Sequence, residues 1–590
     1  MSTGERIFGA VSPPAGPLVD VCLGRIPFVT VTQVKGCIRG LLCLDRASPL
    51  AERPRRHDPQ PIAVVRPGSP VPPGPISPMK NRSLLLASLL ALAPLSGFAG
   101  TARITFDIDH AVGPIDPHLY GIFMEPIGRD IGGVKFNTLY GPVYDPKSPL
   151  ADQYGFRKDI IDAARELGLT QMRWPGGNFT STYHWQDGIG PKDKRPRRME
   201  LAWGTVETNQ VGTDEWIQLN KEIGSDDVVC INGGTGTLEE AGDWVQYCNA
   251  PTGSYWADKR AEYGHPKPYG IKYWCLGNEV DGAPWILAHK DANDYIKFAV
   301  EAAKIMRHCS PDTPLHFIAN GSSYYQDNMD WVNWNRKVIN GLYGIADYLS
   351  IHRYWGNDTD YYRLLGQHEV DLDRAITITG AQLKTVQEVR HGKPMYLSVD
   401  EWAPPFNGGP LSTLVLAEYF NTFLRHADVV KMANYTLLTS ILGRDMKTGA
   451  TYKSPLFYAF KLFSRNCRGE ALDSYVNCGT FSTGKDYPDM PYLDVSTVYD
   501  RAAGRVVINV VNRNRDEAIA TDIRSVTGTF SGVASASVID SSDLQNKPYT
   551  YAERDTYPPK TDTFAAAGAT LHRVFPAHSF TQILVSVTPN

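Results

Sequence analysis

Cysteine is scarce in this 590-residue chain, nine in all, and none falls in a CxxC pair. No HExxH motif and no His/Cys cluster with zinc-ligand spacing occurs either, so no metal and no cofactor is expected. An excess of positive charge is also missing. Lys and Arg total 59 against 63 Asp and Glu, and a net charge of −4 excludes the basic footprint of a nucleic-acid binder. Charged residues at 21% beside hydrophobics at 42% exclude a wholly disordered or collagen-like chain. What the sequence holds in quantity is aromatic side chains, 11% with 12 Trp and 30 Tyr. Most are expected to pack a core, and a few to stack on flat ligand faces. At about 150 residues per domain the length predicts roughly four domains, or equally two or three if barrels or sandwiches are among them.

Proline is concentrated at one end: 14 of the 42 lie in residues 1–78, a stretch without periodicity that cannot offset its ordering entropy. Residues 79–99 follow as MKNRSLLLASLLALAPLSGFA, a basic start, an apolar run too short for a bilayer, and small residues at Gly97 and Ala99. This reads as a secretory signal peptide, with Met79 as the expected true start. The mature protein is then expected to be exported, periplasmic or extracellular, with no membrane span. Export permits disulfides, and Cys467 with Cys478 is the one close pair; buried free thiols are the plainer expectation.

From about residue 115, short apolar runs alternate with helical-period segments. The runs are 118–125, 169–173, 227–232, 271–277, 315–320, 346–352, 395–400 and 429–434, with helices such as 156–167, 291–307 and 412–426 between them. Asp291 and Ser412 are expected N-caps, and Gly168 a C-terminal stop. Eight such units predict a (β/α)8 TIM-type barrel of the α/β class, whose chemistry sits at the C-terminal strand ends. Those ends carry Glu125, Arg173 with Asn178, Asn232, Asn278 and Glu279, Ser322 and Ser323, His352 with Tyr354, and Asp400 and Glu401. Glu279 and Glu401 stand on strands four and seven, across the mouth from one another. Two carboxyls flanking a bond are what glycoside hydrolysis needs, one to protonate the leaving oxygen and one to attack or stabilise the anomeric carbon. The gap between them, which decides retention or inversion, is not legible in sequence.

Six stretches sharpen this: YGIFMEPIGRDIGG (120–133), RWPGGNF (173–179), YHWQDGIGPKDKRPRR (183–198), WCLGNEVDG (274–282), SIHRYWGN (350–357) and SVDEW (398–402). In order and spacing the chain from about 101 onward resembles α-L-arabinofuranosidases of glycoside hydrolase family 51, a retaining family. The resemblance implies Glu279 as general acid/base and Glu401 as nucleophile. It implies Asn278 on the sugar 2-hydroxyl, Glu125 on further hydroxyls, Arg173 and Asn178 on the floor, and Tyr354 orienting Glu401. Arg173 is expected to keep Glu401 ionised, and Glu279 to hold its proton in a partly dry cleft. His352 either lines the same subsite or is a hydrogen-bonded packing residue, and RWPGGN is either a site loop or only a tight turn.

Two departures from the family pattern bear on the substrate. Leu437 stands where strand eight usually carries a glutamine, and the loop after Glu401, APPFNGGP, is short. Beyond 456, alternating strands at 491–499, 504–512, 533–539 and 580–587 predict a jelly-roll β-sandwich. The expected domains are therefore 116–455 for the barrel and 101–115 plus 456–590 for the sandwich. GGTGTLEEAG (233–242) imitates a dinucleotide fingerprint, but acidic residues occupy the helix start where a pyrophosphate would sit. The expected function is removal of terminal α-L-arabinofuranosyl units from arabinoxylan, arabinan or their oligosaccharides. A β-xylosidase or β-glucanase on the same scaffold, or a non-catalytic carbohydrate-binding protein, remains the alternative. The resemblance also implies a homo-oligomer.

Overall fold

In the computed structural model the described residues are 102–131, 134–282, 287–323, 330–355, 358–405, 409–445, 447–540, 544 and 547–589. The proline-rich segment, the signal-like run and residues 406–408 of the short loop lie outside them. Strand β1 (Ala102–Pro114) precedes eight short strands: β2 (Gly121–Phe123), β3 (Gln171–Trp174), β4 (Asp226–Cys230), β5 (Tyr273–Cys275), β6 (His316–Asn320), β7 (Tyr348–Tyr354), β8 (Tyr396–Ala403) and β9 (Val430–Thr436). Each pairs in parallel with its successor, and β9 pairs with β2 to close the barrel. Strands of a parallel barrel are covered on both faces, which is why they read as continuous apolar runs. The expected first strand begins late. Asp116 accepts from His118 N and Pro117 opens a 3-10 turn over Pro117–Tyr120, so only Gly121–Phe123 remains extended.

The helices differ from expectation by one to two residues. Lys158–Leu167 ends at Gly168, whose φ of 75° is the left-handed stop that glycine adopts freely. Ala292–His308 starts at Asp291, which accepts from the amides of Asn293 and Asp294. The expected cap Ser412 is not a cap: the helix runs Pro410–Arg425 from Gly409, with proline in its first turn. Ser412 lies inside it and donates to the Pro405 carbonyl. That helix is buried on every face from Leu411 to Leu424, because it lies between the barrel and a second domain.

The second domain comprises β10 (Glu470–Asn477), β11 (Leu493–Asp500), β12 (Arg505–Asn512), β13 (Ile519–Ser525), β14 (Thr529–Asp540), β15 (Lys560–Ala565), β16 (Thr570–Phe575) and β17 (Ser579–Thr588). With β1 they form a nine-stranded order β15-β14-β17-β12-β11-β10-β1-β13-β16, a β-sandwich around its own core of Ile104, Phe106, Val506, Ile508 and Ile583. β1 is a central strand here, antiparallel to β10 and parallel to β13. The helix Pro455–Asn466 starts at the expected domain boundary. Its Phe463 stacks between Phe420 of the barrel helix and Phe580 of β17, at 4.8 and 5.1 Å. Buried Arg513, just past β12, meets Glu418 at 2.9 Å, Asp494 at 3.2 Å and Glu369 at 3.5 Å, tying the two domains electrostatically. The six cysteines among the described residues are free thiols.

Candidate active site

The C-terminal strand ends bring four carboxyl groups into one buried cluster with two cations: Glu125, Glu279, Asp400 and Glu401 around Arg173 and His352. Arg173, on β3, is the hub. Its Nη1 donates to Glu401 at 2.8 Å and its Nη2 to Asn278 Oδ1 at 2.6 Å, while Nε lies 3.4 Å from Asp400. Tyr354 donates its hydroxyl to the other oxygen of Glu401 at 2.6 Å. His352 places Nδ1 2.9 Å from Glu279 and Nε2 3.3 Å from Asp400. Its Nδ1 also lies 3.6 Å from Glu401, so the ring touches both members of the carboxyl pair as well as Asp400.

Local backbone explains how these groups converge. Glu279 follows β5 with a φ of 45°, a left-handed conformation that costs a non-glycine residue about 1–3 kcal/mol and clusters at working sites. The glycines of RWPGGN allow close approach. A Cβ on Gly176 would run into the Phe123 ring and the Met124 carbonyl, and one on Gly177 into the Glu125 carboxylate. That carboxylate accepts from Phe179 N at 2.8 Å and Trp203 Nε1 at 2.9 Å. On β8 the register slips. Ser398 and Glu401 face Ser350 and His352 of β7, and Val399 and Trp402 face Ala433 and Tyr435 of β9, so β8 carries one extra residue between them. A bulge of this kind re-aims side chains. It turns the consecutive residues Asp400 and Glu401 both toward Arg173.

The electrostatics follow from burial against charge. Burial pushes the Glu125 carboxyl far above its ordinary range, and the charge of Glu401 adds to the rise. Burial also raises Glu401; His352 and Arg173 pull it down, Glu279 pushes it further up, and burial prevails. Arg173 pulls Glu401 toward its ionised form, the direction expected of it, against the larger effect of desolvation. Asp400 behaves oppositely. Burial would raise it, yet Arg173, His352 and the Ser350 hydroxyl hold it below the usual carboxylate range. For His352, burial works against the charge, but Glu401 and the bonds to Asp400 and Glu279 raise the ring well above its ordinary value.

Glu279, His352 and Glu401 each offer a ligand atom, and these atoms lie within 4.8 Å of one another. A histidine whose pKa is raised by carboxylates at both nitrogens favours the imidazolium, which has no lone pair to give a metal. Of the buried polar atoms without a protein hydrogen-bond partner, Asn278 Nδ2 and Asn178 Oδ1 belong to residues beside the cluster and suit a polar ligand. Asn232 and Ser323 belong elsewhere. Asn232 bonds Gly234 N, the Tyr183 carbonyl and Thr235, and Ser323 bonds Asp281. Leu437 is buried in the barrel core, while its neighbour Thr436 lies 3.2 Å from the Tyr354 hydroxyl. Sequence reasoning missed Trp203, whose indole reaches Glu125 from a hairpin 78 residues away, and gave Asp400 no role.

Residues 163–363 match the family described as α-L-arabinofuranosidase 1 domain, and 411–579 the α-L-arabinofuranosidase C-terminal domain. The chain is 36% identical over 440 residues to the intracellular exo-α-(1→5)-L-arabinofuranosidase 1 of Bacillus subtilis, covering 70% of this chain and 85% of that one. It is 36% identical over 455 residues to the intracellular exo-α-(1→5)-L-arabinofuranosidase of Halalkalibacterium halodurans, covering 72% and 88%. Among solved structures, the thermostable GH51 α-L-arabinofuranosidase of Thermotoga petrophila superposes with a TM-score of 0.73 at 30% identity, over 82% of this chain and all of that one. The bacterial relatives are named intracellular, which corrects the expectation of an exported protein drawn from the signal-like run at 79–99. On these likenesses the chain belongs to the α-L-arabinofuranosidases of glycoside hydrolase family 51.

Proposed function

We propose that this arabinofuranosidase works by double displacement, with Glu401 as nucleophile and Glu279 as acid and then base. The observation that carries the reading is the spacing: one carboxylate oxygen of each lies within 4.8 Å of the other. That spacing suits the ~5–5.5 Å of retaining enzymes better than the ~6.5–9.5 Å of inverting ones. Glu279 as acid delivers a proton to the leaving oxygen. His352 beside it stabilises the carboxylate that results, and Glu279 afterwards draws a proton from the incoming water. Glu401, accepting from Arg173 and Tyr354, attacks the anomeric carbon. Asn278 offers its unpartnered Nδ2–H to the sugar 2-hydroxyl, a bond that strengthens as the ring becomes oxocarbenium-like. Glu125 and Asn178 take further hydroxyls. Given the exo-α-(1→5) activity in the names of its relatives, the substrate we propose is the terminal arabinofuranosyl unit of α-(1→5)-linked arabino-oligosaccharides. The reading includes self-association, which light scattering of the purified protein checks.

Glu279→Ala tests the roles. General acid catalysis contributes about 10²–10⁴-fold, and an aryl leaving group does without it. The variant is expected to lose oligosaccharide turnover by that factor, yet give a burst of nitrophenol from an aryl arabinofuranoside followed by a slow phase. Azide speeds the slow phase and yields a glycosyl azide of retained configuration. Glu401→Ala shows no burst on either substrate. Equal losses on both substrates in both variants, with no azide effect, would exclude the assignment.

A further inference from the structure

Alternation along a strand sends neighbouring side chains to opposite faces. Asp400 precedes Glu401 and in a regular strand would point away from it, into the packing between barrel and helices. The bulge in β8 turns it inward instead, to a position 1% exposed beneath the site. There its carboxylate faces Arg173 from β3 at 3.4 Å, Cys275 from β5 at 3.8 Å, the Ser350 hydroxyl and His352 Nε2 at 3.3 Å from β7. Cys230 of β4 completes the surround, with Glu401 adjacent on β8 and Glu279 one hydrogen bond away through His352. Burying an ionised carboxylate is costly unless it is paired and hydrogen-bonded, and Asp400 is surrounded by such partners.

We infer that Asp400 is a positioning residue of the hydrolysis, holding the Arg173 guanidinium and the His352 ring in the orientations from which they bond Glu401, Asn278 and Glu279. A guanidinium is a rigid planar fork. With Nε donating to Cys275 Sγ at 3.5 Å and paired in charge with Asp400 at 3.4 Å, its two remaining arms point at Glu401 and Asn278, which fixes both the attacking carboxylate and the amide beside the acid. The His352 ring is fixed in the same way: Nε2 directed at Asp400 leaves Nδ1 aimed at Glu279. One carboxylate thus sets the relative placement of both reacting glutamates, and Ser350 fixes that carboxylate in turn.

The inference rests on the roles proposed above for Glu279 and Glu401, and the experiment keeps the two apart. Full-length Asp400→Asn and Ser350→Ala are compared with the wild type in thermal unfolding and in kcat and KM across pH on an aryl arabinofuranoside. Asp400→Asn keeps the shape and removes the charge. It is expected to fold and to lose kcat on the order of 10²-fold, the scale of a misplaced reacting group, with KM within about twofold. Its pH–rate bell shifts to lower pH, because removing a negative charge lowers the pKa values of the acids that remain. Ser350→Ala keeps the charge but loosens it, so kcat falls several-fold, on the order of one lost hydrogen bond, with the bell unmoved. A folded Asp400→Asn with wild-type kcat and bell would overturn the inference. So would a loss of stability and kcat together with the bell in place, the mark of a purely structural residue. If Asp400→Asn does not fold, an unchanged kcat in Ser350→Ala overturns it instead. Failure of the underlying reading shows separately, as turnover surviving in Glu401→Ala.

Discussion

Tyr354 gives its hydroxyl to Glu401, and burial keeps that phenol protonated. The bond favours the charged carboxylate, so Tyr354→Phe removes a stabilisation of about 1.5–3 kcal/mol, the usual worth of a hydrogen bond to an ion. The variant is expected to lose roughly 10–100-fold in kcat/KM, and the acidic limb of its profile moves to higher pH as Glu401 becomes harder to ionise. A pH series on the aryl substrate measures both. Leu437 offers a second residue-scale test. Its side chain is part of the apolar core, so Leu437→Gln is expected to cost about 1–3 kcal/mol of stability for an amide without a partner. Improved arabinofuranoside turnover would show instead that the position faces the sugar. At this scale the sequence makes Glu279, Glu401, Arg173 and Tyr354 legible, since strand-end positions and motif order both point to them. Asp400 is legible only as a strand-end residue and not in its contacts, because period-two alternation would send it and Glu401 to opposite faces and nothing local announces the bulge. The Trp203 contact is hidden for another reason: it depends on where a hairpin far along the chain folds back.

Among the elements, the turn that feeds β2 into the barrel is held by an ionic clasp. Burial pushes the His118 imidazolium down, but its bonds to Asp116 and Asp226 outweigh that and raise its pKa to about 9. The folded-state value lies above the unfolded value near 6.5. The contribution is therefore full below pH 6.5 and is lost as the pH rises through 9. Since Asp226 is mostly exposed, the shift is worth about 1–2 kcal/mol after screening. His118→Gln is expected to be less stable than wild type by that amount at pH 6 and nearly equal to it at pH 9.5, in denaturant titrations at both values. The barrel strands were readable as elements because each is largely covered on both sides and carries a short apolar run, as in VVC, FIA and YLSV. Four sandwich strands were not. Lys560–Ala565 is exposed along nearly its whole length, and β10, β13 and β16 each show polar residues to solvent, so their composition resembles that of loops.

For the molecule as a whole, the join between barrel and sandwich is the vulnerable place. Arg513 of the sandwich is surrounded by Glu369, Glu418 and Asp494, and Arg425 shares Asp494 at 2.5 Å. Arg513→Met leaves these buried acids with one cation in place of two. Removing one partner of a buried pair costs about 3–5 kcal/mol. A lowered thermal midpoint is expected, with kcat unchanged at temperatures where the variant is folded. The sandwich strand β1 has a further consequence, in time instead of space. It leaves the ribosome before any barrel strand, yet both its neighbours, β10 and β13, are made more than 350 residues later. At ~5–20 residues per second of synthesis, that is on the order of 20–70 s during which the apolar side chains of Ile104, Phe106 and Ile108 have no sheet to join. The first segment of the fold to be synthesised is thus among the last to be placed, and ribosome-bound chains stalled before residue 470 should leave β1 open to protease while the barrel strands after it are already protected.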